Sequence, residues 1–278
     1  MRTQEKRATR FRSIQTSLLF VIVPAVIISM AVLSLMGYLS SKAIIQTSAG
    51  TEMSQCLSVA MGSIEMSLSN NRMVAETMAR GVEAVQRQAV KGEQTASDWD
   101  AAAYPEILTS FVGSNPETFG GGIWFEPYQY RPEQRYFSPY CMRQNGAVTY
   151  VDNYSLGEGV YYTDQDWYTN AANTTQKSVW SAPYYDEFAQ ISMVTSSAPI
   201  YDETGRLLGV ATADIDLTQM QQMVLSLDVV ANGRAFLIDD TGVYIADEDS
   251  EKLLSANILE DDNPSFAALG RQILSQQE

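Results

Sequence analysis

The chain has 278 residues, 45% hydrophobic and 18% charged, with a formal net charge of −15 and no histidine. That length carries one large folded unit or two modest ones with a real core. The lack of histidine removes the usual general base and the commonest zinc ligand. The acidic balance excludes nucleic acid as a partner of the main body, because phosphate binding needs clustered Lys and Arg.

The basic residues are not spread evenly. Residues 1–15 hold Arg2, Lys6, Arg7, Arg10 and Arg12 against Glu5 alone. Next comes an uncharged run, TSLLFVIVPAVIISMAVLSLMGYL, from Thr16 to Leu39. About 20 apolar residues span a bilayer as a helix, whereas a signal peptide has an apolar core of roughly 7–15. Residues 16–39 therefore read as a retained transmembrane helix, in which Pro24 is tolerable. The positive-inside rule puts residues 1–15 in the cytoplasm and the acidic body outside the membrane.

Residues 40–96 read as a long stalk helix. Between 43 and 90 there is no proline, and Met53, Leu57, Ala60, Ile64, Leu68, Val74, Met78, Val82 and Val85 step mostly by three or four. Such a stripe serves as a seam between two copies or as a face packed on its own domain. A homodimer through this helix is the expectation. Cys56 and Cys141 are the only cysteines, and unpaired thiols are expected.

Ser97-Asp98 offers an N-cap for a shorter helix, DAAAYPEILTSFVGSN, with a break near Pro105. Beyond Pro116, aromatic and β-branched runs alternate with turn signals, including Asn145-Gly146 and Asp202-Glu203-Thr204-Gly205. Five or so short strands after a long helix imply an antiparallel sheet flanked by helices, an α+β module. Residues 217–230 read as a helix with Asp216 as N-cap and Gln219 completing a capping box. GRAFLIDDTGVYIAD then reads as two strands joined by a turn, the opening of a second sheet. If that sheet needs as many strands as the first, the chain is a fragment and its second lobe is truncated.

Catalytic motifs are missing: no Gly-x-Ser-x-Gly elbow, phosphate loop or Cys-x-x-Cys occurs, and no carboxylate spacing supports a glycosidase pair. No catalysis, cofactor or metal is expected. Binding is better supported. YYTDQDWYTNAA, from Tyr161 to Ala172, sets three tyrosines and a tryptophan around two aspartates, with Trp167 and Tyr168 in a loop or short helix. Tyr184, Tyr185 and Asp186 end the strand SVWSAPYYD. In GVATADIDL, period two puts Val210, Thr212 and Asp214 on one face, while Asp216 serves the following helix as its cap. Each aromatic taken singly fits core packing, and each acid fits solvation or capping. Together, aromatics beside carboxylates suit an ammonium group, through charged hydrogen bonds and cation–π contact.

The apolar span, the long helix, DWYTNA, WSAPYYD, SAPIYDETGRLLGVATADIDL and the start of a second sheet resemble the double Cache sensor domains. These are PAS-like extracytoplasmic modules of bacterial chemoreceptors, sensor kinases and diguanylate cyclases. The resemblance covers roughly residues 40–278. It implies a membrane-distal ligand lobe at 97–216, then a linking helix and the start of a membrane-proximal lobe at 217–278.

Members that bind amino acids share an Arg, any residue and Trp-Tyr, then a Tyr after a Pro, an Asp close by, and an Asp in the last distal strand. Trp167, Tyr168, Tyr184, Asp186 and Asp214 match that pattern, and the resemblance implies aromatics lining the pocket and acids holding the ligand's amino group. The Arg position is Gln165, and a further Tyr position falls on Val160, with Tyr161 and Tyr162 adjacent. An amide holds a carboxylate less strongly than a guanidinium fork. The expected ligand is therefore a small amine-bearing or cationic molecule whose acid end is absent or differently held, and Arg131, Arg135 and Arg143 are candidates to replace the fork. Two other readings stay open: a membrane-anchored scaffold or adhesion domain binding a protein, and a membrane-tethered ectoenzyme.

Overall fold

The structure is a computed structural model that describes residues 14–90, 101, 103–152, 154, 161–227 and 234–276. The basic arm, the Ser97-Asp98 cap and Val160 lie outside the described residues. Two compact units are distinguished, one running to Gln55 and one from Cys56 onward.

Helix α1 (Ile14–Val90) has 77 residues and keeps Pro24 within it. Its apolar end is long enough to cross a membrane, with a mean hydropathy of 2.2 over the most apolar window and none of that window buried. Ile27 and Leu33 are 61% and 68% exposed, as a lipid-facing surface requires. In the second unit α1 becomes a docking helix. Ala60, Val74, Ala75, Met78, Ala79 and Val82 are buried, whereas Leu57 is 44% exposed. The helical stripe thus packs on the chain's own sheet from Ile64 onward.

Helix α2 (Ala103–Ser114) buries Tyr104, Leu108 and Val112. Pro105 does not break it. It sits in the first turn, where the missing N–H would have no intrahelical partner anyway.

Seven antiparallel strands follow: β1 (Gly120–Phe125), β2 (Tyr140–Gln144), β3 (Ala147–Val151), β4 (Val179–Trp180), β5 (Tyr184–Asp186), β6 (Ile191–Tyr201) and β7 (Leu207–Asp216). Their order is β3-β2-β1-β7-β6-β4, with β5 also pairing β6. Two hairpins set the register. Asn145 and Gly146 carry positive φ of 52° and 82° at the β2–β3 turn, matching the right-handed strand twist. At the β6–β7 turn, Asp202 Oδ1 accepts from the Thr204 and Arg206 amides at 2.8 and 3.0 Å. The β6 and β7 strands run to 11 and 10 residues, longer than the short strands expected.

The sheet has two different faces. Ile123, Phe125, Cys141, Ala198, Ile200, Ala211 and Ala213 pack with Val74, Met78, Val82 of α1 and Leu108 and Val112 of α2. Trp124, Tyr140, Met142 and Val210 point the other way, towards Tyr162 and the short helix α3 (Asp166–Ala172). That alternation is the pleat of β1, β2 and β7.

Helix α4 (Leu217–Leu225) starts where Asp216 accepts from the Thr218 amide at 2.8 Å. It is shorter than the sequence pattern implied: Ser226 caps it, and residues 228–230 lie outside the described residues. Beyond it, β8 (Leu237–Ile238) and β9 (Tyr244–Ala246) form a two-stranded sheet around the Asp239–Gly242 turn, and α5 (Pro264–Leu274) follows. The two cysteines are free thiols, Cys141 buried and Cys56 half-buried.

Candidate ligand-binding site

The face of the sheet turned away from α1 carries a cavity. Strand β7 delivers Thr212 and Asp214, β6 delivers Met193 and Thr195, and β5 delivers Tyr184 and Asp186. Rings of Trp124, Tyr140, Tyr154 and Trp167 complete the inner end, which holds about 20 Å³. It adjoins a wider cleft of about 340 Å³, where Gln165, Tyr162, Tyr185, Glu187 and Phe188 join the wall. Among the described residues, neither lining contains a Lys or Arg.

Asp214 is the centre of the inner end. It is 3% exposed. Its Oδ1 accepts from the Thr195 hydroxyl at 2.7 Å and its Oδ2 from the Tyr140 hydroxyl at 2.8 Å. Burial pushes its carboxyl up to about 7; the two hydroxyl donors oppose that rise, and the Asp186 charge adds to it. Burial, and then the Asp214 charge, hold the Tyr140 and Tyr184 phenols well above their ordinary value, so both stay protonated donors. Tyr184 shares a 2.9 Å hydrogen bond with Thr195. Trp124 Nε1 donates to Thr212 Oγ1 at 2.8 Å, fixing the indole against β7.

Asp186 sits one step outward. It accepts from the Ala189 amide at 2.6 Å and, at 3.4 Å from each oxygen, faces the Tyr154 hydroxyl. Trp167 and Trp124 lie 4.8 Å apart between ring centroids, tilted by 57°. Two carboxylates therefore face an aromatic enclosure with no cation among its described wall residues. Such a wall has the chemistry to pair with a desolvated ammonium group.

Of the residues singled out by sequence, Trp167, Tyr184, Asp186 and Asp214 are brought together at the inner end, and Gln165 stands at the wider cleft as the N-cap position of α3. Tyr168 does not line the cavity. One residue advances a helix by about 100°, which turns its ring to Tyr162 and its hydroxyl to Glu126 at 2.8 Å. The three candidate arginines are committed elsewhere. Arg143 donates to the carbonyls of Thr118, Val112 and Asn115, closing the C-terminal end of α2. Arg135 lies over the rings of Tyr136 and Tyr161, and Arg131 over Tyr130.

Trp124, Tyr140, Tyr154, Met193 and Thr195 were not singled out by sequence. The one available signal was Gly120-Gly121-Gly122 inside a strand, which marks a close approach to the backbone.

Residues 104–222 match the family described as methyl-accepting chemotaxis protein-like, first PDC sensor domain. This lobe is similar to the first PDC sensor domain of methyl-accepting chemotaxis proteins. The methyl-accepting chemotaxis protein McpC of Bacillus subtilis is 38% identical over 84 residues, 30% of this chain and 13% of that protein. McpA of Pseudomonas putida is 25% identical over 208 residues, 73% of this chain and 31% of that protein. The chain thus spans under a third of the length of either relative.

Solved structures share the PDC fold. The extracellular domain of the candidate histidine kinase mmHK1S-Z3 superposes with a TM-score of 0.61 at 20% identity, covering 77% of this chain and 76% of that one. The sensory domain of the Campylobacter jejuni chemoreceptor Tlp3 with isoleucine bound gives 0.51 at 18% identity, covering 82% and 80%. The matched family is one of sensor domains, and the named relatives are methyl-accepting chemotaxis proteins.

Proposed function

We propose that this chain is the membrane anchor and sensing region of a bacterial chemoreceptor whose PDC lobe binds a small amine-bearing molecule. The observation that carries the reading is Asp214: a buried carboxylate held by two hydroxyl donors, facing an aromatic cavity with no cation among its described lining residues. A ligand ammonium supplies the missing charge. The isoleucine in the Tlp3 structure, an α-amino acid in a domain of like fold, supports that class. Gln165 stands where a guanidinium fork is expected, so the acid end of an amino acid is held weakly.

The lobe's core packs directly on α1 through Val74, Met78 and Val82, and Thr118 donates to Asn71 of α1 at 2.8 Å. In this proposal, ligand binding shifts the lobe between two states of different affinity, and α1 carries that shift towards the membrane. Residues 1–15 lie in the cytoplasm and the lobe outside. The receptor is a homodimer through α1, a reading supported by Val59, Met66 and Met73, which recur every seven residues and are 71%, 63% and 59% exposed.

The test is a binding screen on the detergent-solubilised chain with L-amino acids, alkylamines and carboxylates lacking an amine. Amines and amino acids are expected to bind, and Asp214→Asn to abolish that binding. Gln165→Arg is expected to strengthen amino acids relative to plain amines by about tenfold to a hundredfold, the worth of a charged hydrogen bond to a desolvated group. Amine binding that survives Asp214→Asn unchanged refutes the reading.

A further inference from the structure

Strand β1 passes between β2 and β7, so Tyr140 on β2 must cross it to reach Asp214 on β7. The register places Gly122 opposite Tyr140 on one side and Gly120 opposite Asp214 on the other. A Cβ at Gly120 would stand 2.7 Å from Tyr140 Cζ, and one at Gly122 would stand 2.9 Å from Tyr140 Cδ2. Real Cβ atoms do not approach so closely. The two glycines therefore form a floor on which the Tyr140 ring lies flat, and its hydroxyl reaches the far carboxylate at 2.8 Å.

The ring's position sets how much room remains beside Asp214. The inner end holds about 20 Å³, roughly the space of one water molecule. An unsubstituted ammonium is of that size. Its three donors can meet Asp214, Asp186 and a threonine oxygen, since each carboxylate still has lone pairs to offer. One N-methyl group adds a volume the space does not have and removes a donor.

The geometry points to Tyr140, seated on the Gly120–Gly122 floor, as the residue that admits primary ammonium groups and turns away their N-methylated forms. The inference rests on the amine reading above and narrows it to primary amines. Gly120 and Gly122 act through Tyr140 and are positioning residues.

The experiment measures the affinity of the full chain for n-butylamine and L-isoleucine, each beside its N-methyl derivative, in wild type and in Tyr140→Phe. All four probes carry one positive charge on nitrogen at neutral pH, so within each pair only the head size and one hydrogen-bond donor change. In wild type each primary probe that binds is expected to do so at least tenfold more tightly than its N-methyl partner. Tyr140→Phe removes an oxygen from the wall, a space close to that of a methyl group, and the ratio is expected to fall below about threefold. Equal affinities in wild type overturn the inference while leaving the amine reading standing. A ratio that Tyr140→Phe does not move overturns the role of Tyr140. Failure of both primary probes to bind overturns the amine reading and this inference together. Retained far-UV circular dichroism and a cooperative unfolding transition in Tyr140→Phe separate a change in selectivity from a loss of fold.

Discussion

Asp214→Asn is expected to make the unliganded protein more stable above neutral pH, and the gain should vanish in acid. The carboxyl is held up at about 7 from an ordinary 3.8, chiefly by burial. A carboxylate whose folded-state value is raised contributes stability that is fully present below its unfolded value and lost as pH rises through the folded one. Each tenfold change in proton affinity corresponds to about 1.4 kcal/mol, so ionised Asp214 costs the fold about 4 kcal/mol once the pH is well above 7. Between pH 5 and pH 8 the wild type should lose about 2–3 kcal/mol relative to the asparagine variant. That is a large share of the ~5–15 kcal/mol that holds an ordinary domain together. Asparagine keeps both partners, accepting from one hydroxyl and donating to the other's lone pair. The assay is denaturant unfolding of the solubilised chain at pH 5, 6, 7 and 8, followed by the fluorescence of Trp124 and Trp167, which line the cavity. Parallel stability curves for wild type and Asp214→Asn across that range would show that burial does not hold the proton on Asp214. A bound primary amine should cancel the difference, because its charge favours the ionised carboxylate.

Met78→Ala should destabilise the PDC lobe by about 2–4 kcal/mol in the same unfolding assay, as expected for emptying a packed core position; Met78 is 2% exposed, in the core shared by α1, α2 and the sheet. A bis-maleimide applied to membranes containing the chain should link Cys56, half-buried on α1, into a dimer band. The band should weaken in a variant with charge placed at Met66, and its absence in the wild type contradicts pairing through α1.

Local rules wrote much of the fold. The uncharged run at 16–39, the Asn145-Gly146 hairpin, the Asp202 turn and the Asp216 cap each depend on a few neighbouring residues, and each could be read in order along the chain. The division between Asp214 and Asp216 was legible for the same reason: period two assigns one side chain to the sheet face, and capping chemistry claims the other. Pro105 shows where a local rule was applied too strongly, since the first turn of a helix tolerates what its interior does not.

Tertiary structure decided what the site is made of. Tyr140 and Asp214 are 74 residues apart, and their hydrogen bond exists because β1 lies between their strands with glycine under the ring. Tyr168 stands beside Trp167 in sequence, yet helix geometry turns it to Glu126. Arg143 could have faced a ligand, but three carbonyls near the end of α2 claim it. Thus the chain by itself determined a charge-free run long enough to cross a membrane, the strand-and-helix grammar and the presence of acids among aromatics. The packing of distant strands alone decided which of those groups share one buried volume. The physical reason is range: propensity, pleat and capping act over a few residues, whereas desolvation and cavity size arise only when register brings remote side chains into contact.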